Sequence, residues 1–139
     1  MKTVIERMEL TEKTRQKFFG KNFKWGTCDC AMVAAFHARQ FGWKVPAVGK
    51  YRSYRTAKQA LAKLGVKTIP DLVSLVGLRE IPAAFAMTGD IVSFPADADV
   101  GAIGIVIGNG NMLAFHEAAE GAAIVSMGLI DKAWSINNV

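Results

Sequence analysis

Between positions 3 and 19, Val4, Ile5, Met8, Gln16 and Phe19 stand among charges, a spacing that predicts an exposed helix with one apolar stripe. Gly20 and Asn22 break it. The segment from Phe23 to Cys30 reads as a loop feeding an apolar helix, Ala31 to Phe41. Only His37, Arg39 and Gln40 interrupt that helix, so it should be central and largely buried, with Gly42 as its C-terminal stop. A loop around Pro46 and Gly49 follows. Thr56 then caps a helix carrying Ala57, Ala60, Leu61 and Leu64, ended by Gly65. Pro70-Asp71 opens a short helix, Leu72 to Val76. After Pro82 the pattern changes to short apolar runs separated by glycine turns: Ile91–Phe94, Ala102–Ile107, Asn111–Phe115, Ala123–Ser126 and Ala133–Ile136. Gly108-Asn-Gly-Asn is a hairpin signal.

Helices first and strands after them predict an α+β fold, its N-terminal helices packed on a C-terminal antiparallel β-sheet. The length of 139 residues suits one domain spanning 1–139. It divides into an N-terminal helix (1–20), a helical half (21–81) and a β-sheet half (82–139). Half the residues are apolar, enough for a packed interior. No apolar run reaches the roughly 18 residues of a membrane span. The first residues lack the sections of a secretory signal, which predicts synthesis and retention in the cytosol unless an assembly carries the protein out.

The net charge is +5, and Lys44, Lys50, Arg52, Arg55, Lys58, Lys63 and Lys67 concentrate it in one stretch beside Tyr51 and Tyr54. No nucleic-acid motif accompanies them, so a solvated helix face and loop is the preferred reading over nucleic-acid binding. A Cys28–Cys30 bridge would close a tiny strained ring, so both thiols are expected to be reduced.

Cys30 carries the candidate chemistry. The first turn of a helix offers free backbone N–H groups and a partial positive charge, which stabilise a thiolate. Those amides also suit an oxyanion hole, and Asp29 fits as the helix cap. The alternative is a buried cysteine that merely packs. His37 is seven residues further along the same helix, about 10 Å along its axis and too far to bond the thiol. Cys28, Cys30, His37 and His116 could in principle ligate zinc, but Cys-x-Cys is an unusual spacing, and neither metal nor cofactor is expected. Trp43 and Trp134 read as core, Trp25 as a substrate-groove wall and Asp90 as a turn residue.

Trp25-Gly26-Thr27-Cys28-Asp29-Cys30 resembles the Trp-Gly…Asp-Cys signature of NlpC-type, papain-like cysteine peptidases of cell walls. Gly89-Asp90-Ile91-Val92-Ser93-Phe94 resembles the entry to their first core strand, and Ile103 to Gly110 their hairpin. Order and spacing match over roughly residues 18–136. The likeness is greatest to small uncharacterised phage tail proteins of that fold, through Tyr51…Thr56-Ala57 and Ala133-Trp134. The resemblance implies an NlpC-like domain with Cys30 as nucleophile. It also implies a histidine just before the hydrophobic-Gly-Ile segment, where this chain has Ala102. A positioned base contributes about 10²–10⁴-fold to such chemistry. His116 is the substitute base along the chain, with Glu117 or Glu120 to orient it; the other reading of His116 is a surface residue at a strand end.

Two functions follow from the resemblance. One is a peptidoglycan-cleaving cysteine peptidase at a phage tail tip, with Cys30 and His116 as the catalytic pair. The other is an inactive structural or adaptor subunit of a tail tip or baseplate. Both imply other phage tail subunits as partners, and assembly in the host cytoplasm before incorporation into the virion.

Overall fold

Thr3 opens the first helix with a reciprocal cap: its hydroxyl accepts the Glu6 N–H and the Glu6 carboxylate accepts the Thr3 N–H. The computed structural model describes residues 2–46, 50–96, 99–115, 121–128 and 130–137. In it, helix α1 (Val4–Phe18) presents the opposite face from the one its apolar stripe implied. Val4, Ile5, Met8 and Phe19 are 49–69% exposed, while Arg7, Thr11, Thr14 and Phe18 are buried. Hydrogen bonding explains the inversion. Arg7 reaches the Thr88 carbonyl and Asp90, and Thr11 donates to the Arg7 carbonyl. Thr14 bonds His37. Satisfied polar groups are admitted to an interior that a bare hydropathy count would deny them.

Helix α2 (Cys30–Gln40) begins at its cap Asp29, whose carboxylate accepts the Met32 N–H at 2.8 Å, as expected. Gly42 follows it at φ +89°. Helix α3 (Tyr54–Lys63) corrects the predicted start: Ser53 is the cap, and Thr56 is the third helical residue answering it. Helix α4 (Ile69–Val76) starts before Pro70, capped by Thr68.

Among the described residues the sheet has six strands in the order β1-β6-β2-β3-β4-β5, every pair antiparallel. They are β1 (Glu80–Ile81), β2 (Ile91–Phe94), β3 (Ala102–Gly108), β4 (Asn111–Phe115), β5 (Ala122–Ser126) and β6 (Ala133–Trp134). Strand β1 was not foreseen. It lies in the half read as helical and becomes the sheet edge by pairing with β6. Two residues are too short to show an alternating pattern, so only the partner strand reveals them. Strand β6 ends two residues early because the Ile136 N–H leaves the ladder for the Asp90 carboxylate. The β3–β4 hairpin turns through Asn109 (φ 55°) and Gly110 (φ 75°), the positive pair that a tight two-residue hairpin requires.

The helices cover one face of this sheet, with α2 and α4 against β3 and α1 against α2. Val33, Phe41, Leu61, Leu72, Ile103, Leu113, Trp134 and Ile136 fill the space between. Val92, Val106, Met112, Ala114 and Ala133 form a smaller apolar layer on the other face. Among the described residues no helix is long and apolar enough to cross a membrane.

Candidate functional site

The loop before α2 is a tight turn closed by paired backbone bonds between Lys24 and Cys28. Gly26 at its tip has φ +78°, and a Cβ there would lie 2.1 Å from the Tyr51 carbonyl oxygen. Only glycine fits that approach. The turn brings the Gly26 N–H to one oxygen of Asp29 at 2.8 Å, and the Tyr51 hydroxyl donates to the same oxygen at 2.8 Å. The other oxygen takes the Met32 N–H. Asp29 is 2% exposed and accepts three donors from three segments. It is therefore a cap and also the fastener of the Tyr51 segment. Burial, followed by the Asp29 charge, pushes the Tyr51 hydroxyl far above its ordinary range.

Cys30 is the first residue of α2. It keeps partial exposure as a residue, but its side chain faces a crevice of about 10 Å³ with Val33, Ile103, Gly104, Leu113 and Phe115. That is room for one water at most. Burial pushes the thiol up to about 11, and the Asp29 charge acts in the same direction. The backbone amides of Ile103, Ala31 and Cys30 itself oppose them. The favourable helix-terminus effect is thus present and outweighed. Desolvation disfavours the charged thiolate more than nearby amides favour it, so Cys30 is a protonated thiol at neutral pH. Cys28 is buried, and its thiol is also raised, chiefly by burial.

Trp25, read from the sequence as a groove wall, is half-buried against the core. Its ring packs edge-on against Phe23 (4.9 Å between centroids) and tilted against Tyr54 (6.1 Å), and Phe23 continues to Phe115 (5.3 Å). The aromatic wall draws on the loop, α3 and β4. Phe23 and Phe115 carried no sequence signal, because their neighbours come from distant segments.

His37 is fully buried. Its Nε2 lies 2.8 Å from the Gly89 carbonyl, which can only accept, so Nε2 carries the proton. Nδ1 then accepts from the Thr14 hydroxyl at 2.7 Å, and Gln40 donates to that hydroxyl oxygen. Burial first, then Arg7, lowers His37 to about 4, against the bond to Gly89. With both ring nitrogens engaged, His37 is a tie between α1 and the turn before β2. His116, Glu117 and Glu120 lie outside the described residues. Ala102 sits on β3 opposite Phe94, next to Ile103, whose amide acts on the Cys30 thiol.

Asp90 closes the Met87–Asp90 turn, as expected, its N–H donating to the Met87 carbonyl at 2.9 Å, and its carboxylate does more. It is 2% exposed, pairs with Arg7 at 2.8 Å and accepts the Met87 and Ile136 N–H groups. Among the described residues no three His, Cys, Asp or Glu side chains are grouped to hold a metal ion. The cationic stretch is solvent-facing: Lys44, Lys50, Arg52, Arg55, Lys58, Lys63 and Lys67 are all exposed.

Residues 6–136 match the model of a family described as Domain of unknown function (DUF6950). No curated protein matches the chain.

Proposed function

Because the chain belongs to the DUF6950 family over nearly its whole length, we propose a function from its geometry: a non-catalytic, NlpC-like structural or adaptor subunit of a phage tail. The observation that carries the non-catalytic part is the enclosure of Cys30 against β3, in a crevice of about 10 Å³, and burial pushes its thiol up in the same sense. Three members of the signature that resembles the peptidases have a packing explanation: Gly26 for the close approach of Tyr51, Asp29 for three hydrogen bonds, Cys30 for the crevice. The NlpC-like fold and the tail assignment rest on motif order and on the helix carrying Cys30 lying against the strand carrying Ala102. On this reading the partners are other tail subunits, met in the host cytoplasm and carried into the virion.

A second reading keeps Cys30 and His116 as a peptidoglycan-cleaving pair. Its support is the position of Cys30 in the first turn of α2, with three backbone amides favouring the thiolate. Incubating the purified chain with peptidoglycan separates the two. No soluble fragments are expected at any pH where the chain stays folded. Release that disappears in Cys30→Ala and in His116→Ala would replace the first reading with the second.

A further inference from the structure

Ala31, Ala34, Ala35 and Ala38 of helix α2 and Leu72, Val73 and Val76 of α4 line a common cleft of about 370 Å³, with Ile91 and Ile103 of the sheet. Well-packed interiors hold few voids larger than a water molecule, and apolar cavities of even 150 Å³ stay dry and accept apolar guests. This volume lies within the range of small-molecule pockets. One water needs about 10–15 Å³ of such space, so the cleft has room for a medium-length alkyl chain.

The polar residues of the lining are few and of one sign. Arg39 and Lys50 are exposed, and the Arg39 guanidinium donates to the Val45 carbonyl at 3.3 Å. Tyr51 contributes its ring, its hydroxyl being committed to Asp29. No acidic side chain lines the cleft among the described residues. An apolar slot with two cations and no anion is complementary to a single-chain amphiphile with an anionic head.

We propose that the cleft between α2 and α4 is a binding site for a free, medium-chain fatty carboxylate, its tail between the helices and its head at Arg39 and Lys50. The site adjoins the Cys30 crevice at Ile103, which lines both, but Cys30 is not part of it, and it does not depend on the function proposed above.

Calorimetric titration of the full chain tests this with dodecanoate, dodecanol and dodecyltrimethylammonium as probes. One saturable dodecanoate site per chain is expected, with the alcohol and the cation binding at least tenfold more weakly. Arg39→Gln with Lys50→Gln should weaken dodecanoate tenfold or more and leave dodecanol unchanged. Ala35→Leu should fill the slot and abolish binding. Should that variant fail to fold, nuclear Overhauser contacts between the dodecanoate chain and Leu72 or Val73 methyls in the unaltered protein read the same placement. Absence of saturable binding, or of those contacts, overturns the site; equal affinity for acid and alcohol overturns the head-group assignment. Co-sedimentation with phosphatidylglycerol vesicles that Ala35→Leu abolishes, without dodecanoate binding, would overturn the free amphiphile in favour of a bilayer surface.

Discussion

Asp29 and Asp90 are equally buried, at 2% exposure, and each accepts three hydrogen bonds, yet they hold the protein in different ways. Asp29 meets only neutral donors: two backbone N–H groups within three residues of it, and the hydroxyl of Tyr51. Asp90 meets one local N–H, from Met87, and two groups distant in sequence: the Ile136 N–H and the Arg7 guanidinium. The first is mainly local architecture, recognisable as a helix cap. The second joins the N-terminal helix, the entry to β2 and the end of the chain. The difference lies in what remains when the carboxylate is removed: neutral donors at Asp29, a buried cation at Asp90.

The largest expected effect is therefore at Asp90. Asp90→Ala strands the Arg7 charge, for which a loss of about 3–5 kcal/mol is expected in denaturant unfolding. Arg7→Met with Asp90→Asn should recover much of that loss, because no unpaired charge is left. Asp29→Ala should cost less, about 2 kcal/mol, from the lost cap and the stranded neutral donors. Equal losses at the two sites would break the comparison.

Proton linkage at His37 comes next. Its folded-state value is about 4 against an ordinary 6.5, so the unfolded chain binds the proton more readily. Stability is complete above about pH 6.5 and falls as pH drops toward 4, by roughly 3 kcal/mol. His37→Gln should flatten this slope relative to wild type in unfolding curves at successive pH values. An unchanged slope would show that His37 is not buried as a neutral ring. Tyr51→Phe should have a smaller effect, about 1 kcal/mol, since Asp29 keeps its two backbone donors. A double-mutant cycle with Asp29→Asn reads that bond directly.

The opposite pH dependence belongs to Cys30. Its folded value near 11 lies above that of a free thiol, so the folded chain holds its proton longer and stability declines as pH rises from about 9 toward 11. Alkylation by iodoacetamide at pH 7 should be slow, and Cys30 should not outpace Cys28. A Cys30 reaction persisting below pH 7 would restore the activated nucleophile.

Caps, turns and strand runs were largely legible. Asp29 heading α2, the Gly108–Asn111 hairpin and the strand at Ile91–Phe94 stand where their local patterns put them. The exceptions have two causes. Thr56 yielded the cap to Ser53 because both hydroxyls are suitable and only backbone geometry selects between them. The stripe of α1 faces outward because distant polar partners, Asp90 and His37, made the other face the better one to bury. At the candidate site, Trp25, Asp29 and Cys30 were recognisable from their spacing, while Tyr51, Phe23 and Phe115 joined them only through the fold.

What the sequence determined by itself was the order of helices and strands, the helix start at Asp29-Cys30 and the candidate nucleophile. These depend on interactions within a few residues, whose energies act wherever the segment lies. What the tertiary structure decided was the electrostatic state of that nucleophile and the pairing of the buried charges. A thiol at a helix start is activated or silenced by how much solvent the packed sheet excludes, and that exclusion is set by Ile103, Leu113 and Phe115, more than seventy residues away along the chain.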